Sequence, residues 1–277
     1  MSKILVVCAS GTIGSEVSRL LKNRGHDVRR ATSRKKLDSD QVHLNLINHE
    51  GLKSAVEGVE KVFLMSPPGQ LNPDKLLIPV IVEAKKNGVK KIVLLTAMGA
   101  NADETGPLRL AELHLEKSGI PYNIIRPNWF MQNFNSYWVD EIKSSGKILL
   151  PVGKAKGSFI DTRDVALVAA ELIQSDKFNN QAFDLTGGES LNHDEVADVL
   201  TSVTGRKIIF ENITPARTHE RFLGAGLSKE YADFMLLILD SFRQGHAEVM
   251  TDAVEKITGS KPRTFKTYTE DHKGSWK

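Results

Sequence analysis

One short turn of the chain has residue types that suit the binding of a diphosphate. In the segment 5–17, LVVCASGTIGSEV, an apolar run is followed by a small-residue loop and then by a helical pattern. In such a strand–loop–helix unit, the loop N–H groups and the helix N-terminus bind pyrophosphate. Gly11 lets the backbone approach the ligand without a Cβ, and Gly14 lets the helix pack closely on the strand. The turn therefore predicts a dinucleotide site; the alternative is a glycine turn without a ligand.

Cys8 stands where a first glycine is expected. A positive φ at this position would cost a cysteine about 1–2 kcal/mol. Its place near a helix N-terminus, where thiolates are stabilised, also suits a redox-sensing thiol. We favour the simpler interpretation, in which a small side chain fills a tight turn and dinucleotide binding is kept. The residues assigned to the diphosphate are Cys8, Ser10, Gly11, Thr12, Ile13 and Gly14.

The residues after the second predicted strand indicate which dinucleotide binds. NAD is held by an acidic residue at the end of this strand, but HDVRRATSRKKLD has none between Asp27 and Asp38. Ser33, Arg34 and Lys35 are instead placed to bind a 2′-phosphate. We therefore expect NADP(H) in preference to NAD(H); the alternative is a solvated basic loop.

Three further polar residues lie at or near the ends of later strands and are assigned to the cofactor: Asn45, Ser66 and Thr96. Ligands of parallel sheets bind outside the carboxyl ends of the strands. The Thr96 hydroxyl suits a contact with the nicotinamide ribose or the substrate, and it suits a simple strand cap equally. Thr96 is also a weak catalytic candidate.

The loop RPNWFMQNF combines aromatic side chains with amides, as small-molecule sites do. We assign Asn128, Trp129, Phe130 and Asn133 to the substrate pocket. The alternative is that Trp129 and Phe130 belong to a domain core.

Short apolar runs alternate with amphipathic stretches through the first half of the chain. The predicted strands are Ile4–Val7, His26–Thr32, Val42–Leu46, Lys61–Met65, Lys91–Thr96 and Tyr122–Ile125. Strands separated by helices predict an α/β fold with a doubly wound parallel sheet. We assign residues 1–134 to this domain and 135–277 to a smaller, mostly helical α/β cap, some of whose strands, such as AFDLT, return to the main sheet. Asn192 and Glu195 form a capping-box pattern within the cap.

Composition excludes several classes of function. With 277 residues, 40% of them hydrophobic, and scattered basic residues giving a net charge of +3, the chain fits a globular protein without a nucleic-acid partner. A single cysteine forms no intramolecular disulfide, and the eight histidines show no metal-ligand spacing. No apolar run approaches the ~20 residues of a membrane span. We expect a soluble, cytoplasmic protein with no metal; the apolar helix at 230–242 fits a homodimer interface and the cap core equally.

On these motifs the chain resembles the NmrA-like group of atypical short-chain dehydrogenases. The most specific carriers are RPNWFMQN and FIDTRDVA, and CASGTIG, VEGVEKVFLMSPPG and KKIVLLTAMGA also fit. The resemblance is closest to the branch with triphenylmethane reductases, quinone reductases and ergot-pathway reductases. It implies a Rossmann-type domain, NADP(H), and an aromatic or quinone-like substrate in a cleft between two domains.

The chain departs from the wider superfamily in its acid–base residues. Classical members use a Tyr-x-x-x-Lys pair, but the corresponding segment ADETGPLRLAELHLEK has no tyrosine, and its one basic residue near that place is Arg109, a weak catalytic candidate. This argues against reversible alcohol oxidation, which must move a hydroxyl proton. Hydride transfer to an electron-poor aromatic, quinone or iminium needs little beyond orientation. We favour such a reductase; the alternative is a dinucleotide-binding sensor without turnover, as the family's namesake implies.

Overall fold

A computed structural model describes residues 3–34 and 38–276, and its largest element is a parallel sheet of seven strands. Strands and helices are numbered along the whole chain. The sheet consists of β1 (Lys3–Val6), β2 (Asp27–Thr32), β3 (Gln41–His43), β4 (Lys61–Met65), β5 (Lys91–Leu95), β6 (Tyr122–Pro127) and β9 (Gln181–Leu185). Their spatial order is β3-β2-β1-β4-β5-β6-β9, so the direction of winding reverses between β1 and β4. The predicted α/β class with a doubly wound parallel sheet is confirmed.

The chain packs as two compact units. The first contains residues up to 127 together with 162–185 and 253–259, and the second contains 128–161, 186–252 and the residues from 260 onward. The sequence predicts one division, at 134, with strands such as AFDLT returning to the main sheet. β9, which contains AFDL, lies in the first unit and pairs in parallel with β6.

In the described part of the first unit, the helices that flank the sheet are α1 (Thr12–Asn23), α2 (Leu52–Val56), α3 (Pro73–Lys86), α4 (Pro107–Glu116), α6 (Thr162–Gln174) and α10 (Ala253–Thr258). Helix α1 packs against α6, and α3 packs against α4. Leu5 and Val7 belong to the core cluster that also contains the buried side chains of α2, α3 and α4, while Ile4 and Val6 are buried outside that cluster. This explains why residues 4–7 are apolar at every position, since a strand covered on both faces needs no polar alternation.

The second unit combines helices with two small sheets. Its strands are β7 (Lys147–Leu150), β8 (Lys156–Gly157), β10 (Leu191–Asn192) and β11 (Ile209–Asn212), with β7 parallel to β11 and β8 antiparallel to β10. Its helices are α5 (Val139–Ser145), α7 (His193–Thr204), α8 (Pro215–Gly224), α9 (Lys229–Arg243) and α11 (Phe265–Asp271). The predicted capping box is present, because Asn192 accepts from the N–H of Glu195 and the Glu195 carboxylate accepts from the N–H of Asn192.

The core of the second unit encloses one histidine among aromatic rings. His193 is 1% exposed and has five ring neighbours at centroid distances of 5.3–6.2 Å: Phe134, Trp138, Phe159, Phe210 and Phe242. Neither ring nitrogen has a hydrogen-bond partner in the described part of the chain. Burial lowers the pKa of His193 to about 3.

Of the six predicted strands, β4 has its predicted bounds, and the other five differ by one to three residues at one or both ends. β3 ends at His43, not at Leu46, because the Asn45 side chain accepts from the N–H of Ile47 and folds the chain into a turn. Pro79 lies inside α3 without ending the helix. Among the described residues no helix is both long and apolar enough to cross a membrane.

Candidate functional site

The end of β1 leads into α1 through a tight turn. The N–H of Gly11 donates to the Cys8 carbonyl at 3.0 Å, and Gly11 is the N-cap of α1 without a side-chain cap. The first N–H groups of a helix have no intrahelical partner and carry partial positive charge. Residues 10–12 are exposed and 13–14 are buried. The turn therefore offers N–H donors to an anion.

Gly11 and Gly14 occupy this turn for different structural reasons. A Cβ on Gly14 would lie 2.3 Å from the Cys8 carbonyl oxygen, so only glycine fits. A Cβ on Gly11 would meet nothing closer than 3.4 Å, and its φ of −84° is open to any residue. Packing within the protein therefore requires a glycine at 14 but not at 11. A glycine at 11 would be required by the close approach of a ligand.

Cys8 adopts the left-handed conformation, with φ of +54°. This costs about 1–2 kcal/mol relative to glycine. Its thiol donates to the Met65 carbonyl at 3.6 Å, which ties the turn to the end of β4. Burial raises the pKa of Cys8 to about 11. The environment is that of a neutral thiol that fills the turn, and it does not fit the redox-sensing alternative.

We expect native Cys8 to react with iodoacetamide at least roughly 100-fold more slowly than a free thiol near pH 8, because a pKa of about 11 leaves only ~0.1% of the side chain as thiolate. The same protein unfolded in urea is the control, since unfolding removes the burial. A native rate within about tenfold of the unfolded rate would contradict this account.

The residues after β2 present a basic group at the surface. Ser33 and Arg34 are exposed; the Arg34 N–H donates to the Thr32 hydroxyl at 3.2 Å, and the Arg34 carbonyl lies 3.3 Å from His43 Nδ1. Within the described part of the chain, the Arg34 guanidinium pairs with no carboxylate. The third predicted residue, Lys35, lies outside the described residues.

The acidic residues that follow β2 are held by other partners. Lys22 and Arg30 both contact the Asp40 carboxylate and hold its pKa below the ordinary value. The Asp38 carboxylate accepts from the Gln41 amide at 2.9 Å. Both carboxylates are therefore already bound by other side chains of the protein.

Asn45 and Ser66 follow the carboxyl ends of β3 and β4, and both are half-buried. Asn45 Oδ1 accepts from the Ile47 N–H at 2.9 Å, and the Ser66 hydroxyl donates to the Pro67 carbonyl at 3.0 Å. Both side chains therefore shape their own loops.

Thr96 follows β5 and belongs to a buried charged network. Its hydroxyl donates to Glu112 Oε1 at 2.6 Å, and Glu112 on α4 is 0% exposed. Arg126 of β6 binds the same carboxylate through Nε at 2.9 Å and Nη2 at 2.7 Å. Burial alone would raise the pKa of Glu112, but the hydrogen bonds from Arg126 and Thr96 outweigh it and the pKa is lowered. Glu112 is therefore ionised.

The second catalytic candidate, Arg109, also belongs to this network. Its guanidinium donates to Glu104 at 3.1 Å, to Glu112 at 3.1 Å and to Glu116 at 2.7 Å. The sequence predicts a role for Arg109 but assigns none to Glu112. A signal was present, since Glu112 lies beside buried Ala111 on the apolar face of α4.

The predicted substrate loop contains two asparagines in different states. Asn128 is buried; its Nδ2 donates to the Ala247 carbonyl at 2.8 Å and its Oδ1 accepts from the Trp129 N–H at 2.8 Å. Asn133 is half-buried, and its side-chain amide has no hydrogen bond within the chain as described. Asn128 therefore holds the loop in place, while Asn133 keeps its polar atoms for another partner.

Trp129 and Phe130 of this loop are half-buried, and Trp129 packs on the second unit's core. Trp129 meets Phe242 edge-on at 5.4 Å and stacks with Trp138 at 6.4 Å. Phe130 forms a parallel bridge with Ile160. Trp129 thus contributes to the core and keeps part of its surface accessible. In the described ranges no cluster of three histidine, cysteine or acidic residues could hold a metal ion.

Known sequences similar to this chain include several oxidoreductases. A family model described as the NmrA-like family matches residues 1–269. The chain is 31% identical over 278 residues to the uncharacterized oxidoreductase YesF of Bacillus subtilis, covering 99% of this chain and 96% of that protein. It is 32% identical to the NAD(P)H azoreductase of Xenophilus azovorans, covering 97% of both. It is 29% identical to the agroclavine dehydrogenase of Claviceps fusiformis, covering 99% and 98%.

Solved structures with the same fold include both reductases and a regulator. The triphenylmethane reductase of Citrobacter, complexed with NADP(H), has a TM-score of 0.83 at 21% identity over 96% of this chain and 99% of that one. An NADPH-dependent quinone oxidoreductase of Escherichia coli, complexed with NADPH, has a TM-score of 0.84 at 20% identity over 97% and 99%. NmrA, a negative transcriptional regulator in complex with NAD, has a TM-score of 0.77 at 15% identity over 98% and 94%.

Proposed function

Because this chain belongs to the NmrA-like family, an NAD(P)H-dependent oxidoreductase family, we propose that it is an NADPH-dependent reductase of electron-poor aromatic compounds. The acceptor class is a quinone, a cationic or azo dye, or a conjugated iminium. The observation that carries the proposal is the turn at Gly11. An α-helix begins there without a side-chain cap, and the packing of the protein does not require the glycine at this position.

The residues of the first unit fit the nucleotide. In our proposal the N–H groups of Ser10, Thr12, Ile13 and Gly14 bind the diphosphate, which approaches the chain at Gly11, where no Cβ is present. Asn45, Ser66 and Thr96 line the remainder of the site. Ser33, Arg34 and Lys35 bind the 2′-phosphate. Among the described residues no carboxylate pairs with the Arg34 guanidinium, and Asp40 is engaged with Lys22 and Arg30; both observations support NADP(H) over NAD(H).

The chain's own contribution to the reaction is binding and orientation. The bound nicotinamide supplies a hydride when reduced. Thr96 and the network around Glu112 hold the end of β5 in a fixed geometry, and Arg109 is a positioning residue that donates to three carboxylates. An electron-poor acceptor takes the hydride without a side-chain acid, and water protonates the product.

For the substrate we propose a wall made by the loop after β6. Trp129 and Phe130 supply apolar surface, and the amide of Asn133 orients a polar group of the substrate. Asn128 keeps this wall in place through Ala247.

We also propose a cytoplasmic homodimer. The neutral thiol of Cys8 is compatible with a reducing compartment. Phe234 and Leu237 of α9 are 40% and 67% exposed, which supports α9 as the subunit contact. Sedimentation equilibrium tests the dimer, and a monomer at all concentrations would reject it.

The second candidate function is a dinucleotide-binding regulator without turnover. The likeness to NmrA and the engagement of Arg109 with carboxylates favour it. Titrating the purified protein with NADPH and NADH by calorimetry, and then following NADPH oxidation with a naphthoquinone, an azo dye and a triarylmethane dye, separates the two. Absence of binding rejects both functions, and binding without oxidation by any acceptor rejects the reductase.

We expect Arg34→Glu to weaken NADPH binding about 100-fold and NADH binding less than about threefold, because only NADPH carries the 2′-phosphate that Arg34 pairs with. Calorimetry measures both affinities. The control is Arg19→Glu, the same charge change at an exposed arginine of α1 that is paired with Glu16. Equal losses for the two nucleotides would show that the cofactor assignment is wrong.

A further inference from the structure

We propose that Glu112 is a positioning residue. Because it takes the hydrogen of the Thr96 hydroxyl, Thr96 can accept a hydrogen bond from the nicotinamide half of the bound nucleotide but cannot donate one to it. The inference rests on the proposed function and adds the chemistry of one contact: the ligand group at Thr96 must be a donor, and Thr96 is not the source of the product's proton.

The first step is that Glu112 is saturated with donors. An ionised carboxylate offers about four lone-pair positions. Four donors occupy them: the Thr96 hydroxyl, Nε and Nη2 of Arg126, and Nη1 of Arg109. With two guanidinium groups in contact and no solvent exposure, Glu112 is anionic and only accepts.

The second step concerns the single proton of the Thr96 hydroxyl. A threonine hydroxyl has one hydrogen and two lone pairs. Donating the hydrogen elsewhere would leave a buried anion short of one hydrogen bond, which is more costly than losing a bond between neutral groups. At 2.6 Å from Glu112 Oε1, the hydrogen is committed. Only lone pairs remain for another partner.

The third step is the place of Thr96 in the fold. β5 is adjacent to β4, and the winding reverses between β4 and β1. Ligands of doubly wound sheets bind at the carboxyl ends near this reversal. Thr96 follows the carboxyl end of β5, and 6% of its surface is exposed to solvent. The matching donors on the nucleotide are a hydroxyl of the nicotinamide ribose and the amide nitrogen of the carboxamide. A quinone oxygen, which only accepts, finds no donor in Thr96.

The test measures binding of two probes by calorimetry. NADPH carries the nicotinamide half, and adenosine 2′,5′-bisphosphate lacks it. We expect Thr96→Val to weaken NADPH roughly tenfold, Thr96→Ser to change it less than about threefold, and neither to change the bisphosphate. We expect Glu112→Gln to weaken NADPH like Thr96→Val, because the glutamine amide donates to the Thr96 oxygen and competes with the ligand.

A double-mutant cycle separates positioning from general damage. In a Thr96→Val background, Glu112→Gln should cause no further loss of NADPH affinity. The matched control is Glu116→Gln, which removes a carboxylate from Arg109 without touching Thr96 and should leave NADPH affinity unchanged. If Glu112→Gln does not fold, Glu112→Asp is tested in its place. The shorter side chain keeps the negative charge but moves the carboxylate oxygen away from the Thr96 hydroxyl.

Two results would overturn the inference: unchanged NADPH affinity in Thr96→Val, or an undiminished effect of the Glu112 variant in the Thr96→Val background. Both differ from a failure of the proposed function, in which the wild-type protein binds no NADPH.

Discussion

Gly11→Ala is expected to lose NADPH affinity by at least roughly 100-fold, about 3 kcal/mol, while the protein keeps its stability. Among the described residues other than its two chain neighbours, the nearest atom to the new methyl group is the Cys8 carbonyl oxygen at 3.4 Å, so folding tolerates it. It occupies the space in which the proposed diphosphate approaches the N–H groups of α1. Loss of binding without loss of stability is the pattern of a residue kept for a ligand.

Gly14→Ala is expected to behave in the opposite way. Its Cβ would lie 2.3 Å from the Cys8 carbonyl oxygen and 3.0 Å from the Cα of Ala9, both backbone atoms that the turn cannot move cheaply. We expect the free energy of unfolding to fall by roughly 3 kcal/mol or more.

Urea unfolding and NADPH calorimetry on the two variants give the contrast. The matched control is Gly224→Ala, a glycine with nothing within 4 Å of its Cβ position. If Gly11→Ala binds NADPH like the wild type, the diphosphate does not lie at this turn. If Gly14→Ala is as stable as Gly11→Ala, the packing explanation of the second glycine is wrong.

The parallel sheet could be predicted because its information is local. β1, β4 and β5 are each a lysine followed by a short apolar run, and β4 was predicted with its observed bounds, Lys61–Met65. The end of β3 could not be predicted in the same way, because one side-chain hydrogen bond from Asn45 decides it.

The polar contacts of the site are harder to predict because they join distant residues. Glu112 meets Thr96 and Arg126 across 16 and 14 residues of sequence. Lys61 and Lys91 donate to the Ile173 and Ser175 carbonyls at the end of α6, across 112 and 84 residues. Residue type alone marks each of these side chains as polar, and only the fold determines its partner.

His193 is expected to make the protein lose stability in acid. In the folded state its pKa is about 3, whereas an exposed histidine has a pKa near 6.5. Between these values the unfolded chain binds a proton and the folded chain does not, so stability is complete above about pH 6.5 and falls as the pH is lowered. The contribution approaches roughly 1.4 kcal/mol per pH unit, or about 2 kcal/mol between pH 6.5 and pH 5.

His193→Phe should remove this loss, because phenylalanine fits an aromatic surrounding and has no nitrogen to protonate or to leave without a partner. We expect the variant to match or exceed wild-type stability at pH 7 and to gain about 2 kcal/mol over the wild type by pH 5 in urea unfolding. His193→Leu repeats the test with a smaller side chain, and the control is His246→Gln, which removes an exposed histidine. The difference in free energy of unfolding between wild type and His193→Phe depends on pH only through the proton on His193. If the two proteins lose stability in parallel as the pH is lowered, the His193 ring is not neutral and shielded from water in the folded protein.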